Sequence, residues 1–449
     1  MKLRLDVLIV LFLLFSCEGK RKATDSLPPD PLKKDGLYHL RTTSRISSNL
    51  FSDFVTDEEG NMYLASFQQK EGALDRILIL KISPLGKIIW EKGQMSTGRA
   101  LAINKNPEGK LWVCGFFQGS LNWDGHKIES TTSAMFWARI DQNGKTEYLE
   151  KPRGEITAFN LHTNLQGEML MAAQIGKRAR LGGMEFSGQG ERQNMLLLLD
   201  REGNSKWGKP IQGNVQCMSS DENGSFWVGG DFTEEFSFEK DRFQTSSPFD
   251  QDAFLTKISE EEIWSKQIGY KGFLRYGYRS NEGISDLTLG ANNKMLALIK
   301  EDNPDTQDKM GDRFLSDIGL FSISDTGEIR QEEVISTSQV KGQIFRMSQS
   351  DNGELWISGK GMGNFSLLGD TIRSPGYQAF LIGLDQDRRS SKRILPSHGP
   401  NTDIRIMKHS GNQLYTSGHY TSYLKIAKDS IENRGTHALF FYRKYLPTF

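Results

Sequence analysis

Two segments of the 449-residue chain carry side chains that could do the work of recognition. The first, residues 270–283 (YKGFLRYGYRSNEG), interleaves Tyr270, Phe273, Tyr276 and Tyr278 with Lys271, Arg275 and Arg279. Aromatic rings and guanidinium groups anchor protein interfaces because they bury large areas and hold their donors in fixed geometry. The second, residues 301–314 (EDNPDTQDKMGDRF), carries Asp302, Asp305, Asp308 and Asp312. Opposed aromatic-basic and acidic surfaces suit binding of a protein partner rather than bond-making. The other reading is that the tyrosines pack as a cap over the sheet beneath and the acids are solvated, since long insertions tolerate such content.

Little else points to chemistry. The chain has no G-x-S-x-G elbow, H-E-x-x-H, P-loop or C-x-x-C pattern, so no catalytic residue is expected. Its seven histidines, His39, His126, His162, His398, His409, His419 and His437, show no metal-ligand spacing on one strand and are expected to be structural or solvated. Turns such as Asp141-Gln-Asn-Gly and Asp221-Glu-Asn-Gly are too short to give Ca²⁺ its six or more oxygens; they read as hairpin turns. No metal or cofactor is expected. Beyond Cys17 only Cys114 and Cys217 remain, both in apolar strand patterns, either as packed thiols or, in an exported chain, as a disulfide. Basic and acidic side chains balance at 56 each, against a nucleic-acid partner, which would favour a basic excess.

The N-terminus reads as a targeting segment. Lys2 and Arg4 precede an unbroken apolar run from Val7 to Phe15, too short to span a bilayer, and small Ser16 precedes Cys17. Leu14-Phe15-Ser16-Cys17 resembles a relaxed bacterial lipobox, Phe15 departing from the usual small residue. The resemblance implies a signal peptide at 1–16 and acylation of Cys17 by a palmitate-type lipid, which would anchor the chain to a membrane without a spanning helix. Glu18, in place of the aspartate associated with inner-membrane retention, favours the outer membrane, on its periplasmic or exposed side. Residues 17–35 are polar, charged and proline-bearing, the composition of a flexible tether.

The elements that must position everything else are repeats. Seven segments follow a tight polar turn: Asn61-MYLAS, Lys110-LWVCG, Glu168-MLMAA, Ser225-FWVGG, Lys294-MLALI, Glu354-LWISG and Gln413-LYTSG. Tyr63, Trp112, Leu170, Trp227, Leu296, Trp356 and Tyr415 share a column, and a glycine precedes most copies, with a period of about 58 residues. A strand before the turn and two after the aligned segment give four strands per copy, and no amphipathic helical stripe persists. Seven four-stranded copies predict an all-β fold over residues 36–449, a seven-bladed β-propeller. The seventh copy lacks a fourth strand, while Gly36-LYHL stands as an orphan before the first; pairing the two would close the ring. By propeller geometry the loops joining strands two to three, and each blade to the next, should share one insertion-rich face, and the inner strands carry Asp53, Asn160, Asp286, Arg346 and Arg405.

Val113-CGFFQGSLNWDG, Val228-GGDFTEEFSFEKDRFQTSSPFDQDAFLTKIS and Ile357-SGKGMGNFSLLGDTIRSPGYQAFLIGLD resemble the bacterial SBBP-type β-propeller repeat. That resemblance implies an exported propeller. The turn-Gly-x-x-x-Trp pattern also resembles quinoprotein-like propellers, including a lipoprotein that assists outer-membrane protein assembly, but the adjacent cysteines of the quinoprotein enzymes are missing. The expectation is a lipid-anchored envelope module that binds or scaffolds proteins without catalysis. Its alternatives are an assembly factor for membrane proteins, or a carbohydrate-binding protein or hydrolase acting in the central channel.

Overall fold

The computed structural model describes residues 36–39 and 51–446, apart from 69–75, 96, 191, 247, 249, 270–281, 291–292, 308–313, 338–342, 351, 369, 386–391, 399–401, 412, 421–422, 427 and 433–437. The fold is all-β and propeller-like, built from antiparallel four-stranded sheets. In the first repeat the strands are Phe51–Thr56, Met62–Gln68, Arg76–Ile82 and Ile88–Met95, paired in chain order. The second is Thr97–Lys105, Leu111–Trp123, His126–Ile140 and Thr146–Glu150. In the last, Asp403–Ser410, Gln413–Tyr420 and Ala438–Tyr445 are completed by Gly36–His39, with Gly36 opposite Arg443 and His39 opposite Phe440. The orphan strand therefore fills the place the seventh copy leaves empty.

Alternation along each strand explains how sheets stack. Successive side chains point to opposite faces. Leu111 and Val113 lie in the apolar cluster shared with the first repeat, while Trp112 and Cys114 lie in the cluster shared with the third. The same division runs through the chain, so the apolar clusters sit between consecutive repeats. One more joins the ends of the series, putting Phe54, Leu64 and Leu80 of the first repeat against Ile406 and Tyr415 of the seventh. Both faces of most sheets are thus buried, which is why the strands read as near-continuous apolar runs. The first strands pack in succession, Phe51–Thr56 against Thr97–Lys105 and so on, and Asp403–Ser410 packs back against Phe51–Thr56.

The tight turns have one mechanism. At Asp141 the side-chain Oδ1 accepts the amides of Asn143 and Lys145 at 2.9 and 2.8 Å, and Gly144 takes a φ of 85° that an L-residue would resist. The Asp141 and Asp221 turns are hairpin turns, as the sequence predicts, with glycine rather than asparagine taking the positive φ. Cys114 and Cys217 are buried free thiols, so they form no disulfide.

Two expectations about the connections are corrected. In the fourth and seventh repeats the segment following the second strand is not a loop displayed on one face; it is a hairpin that folds back along the outer seam. In the fourth repeat Glu235–Phe238 pairs with the outer strand of the third, Ser205–Gln212, through Ile211 opposite Phe238. Its return arm, Asp241–Gln244, caps its own outer strand, Asp241 Oδ2 accepting the Ser265 amide at 2.6 Å. In the seventh repeat Tyr423–Ile426 pairs likewise with Lys392–His398 of the sixth. The apolar alternation of Phe236 and Phe238, both buried, drives this, because those rings find cover only in the seam. Likewise, residues 301–314 are not a loop throughout: Met295–Gln307 and Phe314–Ile323 continue the ladder, and Asp302 stands opposite Ser316. The ladder slips between Asn303 and Gln307, where Pro304 has no amide to donate.

Candidate functional site

The innermost strand of every repeat carries a bulge at the same place, for instance between Phe51 and Asp53, Ala158 and Asn160, and Ile284 and Asp286. The residue after each bulge forms a column: Asp53, Ala102, Asn160, Cys217, Asp286, Arg346 and Ile406. A bulge re-aims the side chain that follows it. Here the polar members reach a neighbouring repeat. Asp53 Oδ2 accepts the Ile103 amide at 3.2 Å, and Asp286 Oδ2 accepts the Met347 amide at 2.7 Å. Asn160 donates to the Gln216 carbonyl at 3.5 Å, and Arg346 donates to the Ser285 carbonyl at 3.4 Å. Four of the five inner-strand residues named from sequence therefore share one register; Arg405 occupies the bulge position itself, between Ile404 and Ile406.

Electrostatically this column is one site. Burial pushes the Asp53 carboxyl up, and Lys408, the Ile103 amide and Arg346 oppose the shift. Burial likewise raises Asp286, opposed first by Arg346, whose Nη1 lies 3.8 Å from Asp286 Oδ1. Lys408, exposed on the seventh repeat, acts on both carboxylates, so charges separated by up to 355 positions in sequence converge. Next to the column, His162 is brought down to about 3 by burial and by Lys408, and bonds Ser220 Oγ at 3.1 Å. His409 falls to about 3 through burial and pairs with Ser348 Oγ at 2.9 Å. Burial keeps both rings neutral near pH 7; the sequence reading expected these histidines to be structural or solvated. Lys408 went unnamed in that reading, because a lone lysine at a strand end carries no local pattern.

A second feature lies on the outer seam. Trp90, Lys92, Trp123 and Asp124 line a cleft of 360 Å³ between the first repeat and the hairpin tip of the second. Lys92 Nζ meets Asp124 Oδ2 at 2.6 Å; burial works against ionisation of Asp124, but Lys92 and Thr146 bring it down to about 2.

The aromatic column also has a partner that sequence analysis did not name. Directly opposite Tyr63, Trp112, Trp227 and Tyr415 on the third strand stand Lys81, Arg139, Lys257 and Arg443. Lys81 lies 4.9 Å from the Tyr63 ring centre and Lys257 5.5 Å from that of Trp227. Where the column holds Leu170 or Leu296, the opposite residue is Leu198 or Ser322 and the cation is gone; Trp356 stands opposite Gly383 and instead meets Lys444, whose Nζ is 5.7 Å from its ring centre. Attraction between a cation and a ring face accounts for this pairing.

Of the residues singled out from sequence, Cys17, Tyr270, Phe273, Arg275, Tyr276, Tyr278, Arg279 and Asp308 lie outside the described residues. Asp302 and Asp305 lie on the strand Met295–Gln307. Elsewhere, Asp250, Asp252 and Glu282 gather as a buried carboxylate cluster.

No family model and no curated protein matches the chain. Among solved structures it is similar to an ulvan lyase of a polysaccharide lyase family, at 9% identity and a TM-score of 0.44 over 90% of this chain and 96% of that one. A luciferin-regenerating enzyme is similar at 11% identity and a TM-score of 0.36, over 77% and 91% of the two chains. A xylan β-1,4-xylosidase from Bacillus halodurans gives 9% identity and a TM-score of 0.29, over 91% and 100%. The expectation of a chain without catalysis is corrected here. Proteins named as enzymes are among the similar structures, so the want of a familiar catalytic motif does not carry that conclusion, and it is withdrawn.

Proposed function

We propose that the chain is an exported lipoprotein, anchored through Cys17, whose seven sheets close into a ring that serves as a protein-binding scaffold in the bacterial cell envelope. The observation that carries this reading is the join between the first and last repeats. Gly36–His39 completes the last sheet, Ser410 Oγ donates to the Asp57 carbonyl at 2.7 Å, and Arg443 donates to the Pro84 carbonyl. A sheet series locked end to end, with polar inner-strand groups bonded across repeats, is a stiff body on which connections can be displayed with little loss of entropy on binding. The segment 270–279, with its interleaved rings and cations, is the proposed partner contact, and acidic Asp302, Asp305 and Asp308 are its proposed neighbours. The quoted SBBP-like residues accord with this address.

The test is photo-crosslinking in intact envelopes, comparing the wild type with a Phe273→Ala, Arg275→Ala, Tyr276→Ala triple variant that is still folded and exported. Capture of the same envelope protein by both would reject the segment as the contact. A second reading rests on the convergence of Lys408 and Arg346 with Asp53 and Asp286: the centre of the ring would hold a polar ligand such as a carbohydrate. An oligosaccharide that binds the wild type and not Lys408→Ala would favour it.

A further inference from the structure

Asp250 and Asp252 flank Gln251 at the start of the fourth repeat's third strand, Gln251–Ile258, so they share one face of it. Glu282 ends the connection into the fifth repeat, one residue before the strand Gly283–Leu289. Two backbone-anchored bonds hold these pieces together: the Glu282 amide donates to the Gln251 carbonyl at 2.9 Å, and Gln251 Nε2 donates to the Glu282 carbonyl at 3.2 Å. The three carboxylates are only 1%, 3% and 2% exposed, and one oxygen of each lies within 4.8 Å of the others.

Neutral donors satisfy only part of the charge of the two aspartates. Ser246 Oγ donates to Asp250 Oδ2 at 2.6 Å, and Gln267 Nε2 donates to Asp252 Oδ2. Asp250 Oδ1 and Asp252 Oδ1 remain buried without a donor. Burying an uncompensated carboxylate oxygen is costly, and two of them converging is costlier still. No lysine or arginine is among the described groups acting on Asp252, whose carboxyl is raised by burial, with the neighbouring Asp250 adding to it. The backbone walls one side closely: a methyl on Gly269 would sit 2.2 Å from Asp252 Oδ1.

We infer that Asp250, Asp252 and Glu282 form a calcium site that pins the connection between the fourth and fifth repeats to the edge of the fourth sheet. The donors are all hard oxygens. Ca²⁺ binds such oxygens at about 2.3–2.6 Å, so ligands on opposite sides of one ion stand close to 5 Å apart, whereas Mg²⁺ at about 2.1 Å requires a tighter set. The inference is independent of whether residues 270–279 bind a partner.

The test uses the full-length purified protein and Ca²⁺ alone. Equilibrium dialysis with radioactive calcium should give one ion per chain, and calcium at a hundredfold excess over its Kd should raise the Tm by about 3 °C relative to EDTA. Asp250→Asn and Glu282→Gln should each weaken binding by at least about tenfold, and in EDTA Asp250→Asn should melt no lower than the wild type, because it removes a charge that repels Asp252. Absence of calcium binding by the folded wild type would overturn the inference, as would binding that neither substitution alters.

Discussion

Replacing Gly60 by alanine should destabilise the protein far more than a turn glycine ordinarily would, because Gly60 lies where the first repeat meets the last. Its φ is 77°, a conformation that costs an L-residue about 1 kcal/mol. The added methyl would also stand 2.1 Å from the hydroxyl and 3.2 Å from the ring carbon Cζ of Tyr415, and 3.3 Å from Pro84 Cγ. Tyr415 is 1% exposed within the cluster joining the two repeats, so its ring has nowhere to retreat without opening that cluster. Overpacking of this kind adds about 1–3 kcal/mol. The sum, about 3 kcal/mol, is read from the shift in urea midpoint followed by tryptophan fluorescence. Gly411→Ala is the control: φ is 53° there and nothing lies within 4 Å, so only the backbone cost of about 1 kcal/mol remains. Tyr415→Phe combined with Gly60→Ala should recover part of the loss, since it deletes the atom most closely approached. If Gly60→Ala and Gly411→Ala cost the same, Tyr415 does not reach the first repeat and the packing of that join is wrong.

The neutral, half-buried histidines make stability depend on pH. His162 and His409 titrate near 3 in the folded chain and near 6.5 when unfolded, so the unfolded state takes up more protons between those values and stability falls as pH drops below about 6.5. At pH 5 the loss is about 2 kcal/mol per histidine, and His162→Gln with His409→Gln should flatten the Tm profile between pH 7 and 5. Cys114, its thiol pushed up to about 12 by burial, and Cys217, raised well above its usual value by the same cause, should resist a thiol reagent at pH 8 until denaturant is added; rapid labelling of the native protein would contradict their burial. Trp227→Phe keeps an aromatic ring, though a smaller one, and removes the donor that meets Asp221 Oδ2 at 3.0 Å; leaving that buried carboxylate one bond short, with some lost packing, should cost at least about 2 kcal/mol in the same urea assay.

Repeats, strand types and turns were legible because each rests on a local rule: two-residue alternation, an aspartate or asparagine opening a turn, and a glycine three positions later with positive φ. The pairing of Gly36–His39 with the last sheet was legible too, from a missing strand and a spare one. The outer-seam hairpins were not, because the alternation of Phe236 and Phe238 looks the same in a loop as in a strand until a neighbouring sheet offers cover. Nor was the convergence of Asp53, Asp286, Arg346 and Lys408, which depends on a bulge repeated in register across four distant strands. Asp250 and Asp252 were not singled out, because two acids flanking one residue form no motif, and only the path of the chain back through Glu282 makes them a cluster.

The claim that most constrains the function is the lipid anchor, and metabolic labelling with an alkyne-bearing fatty acid tests it directly. The wild type should take up the label and sediment with the outer membrane, whereas Cys17→Ala should take up none and be released or retained in precursor form. An unlabelled wild type recovered in the soluble fraction would contradict the account of an anchored envelope scaffold.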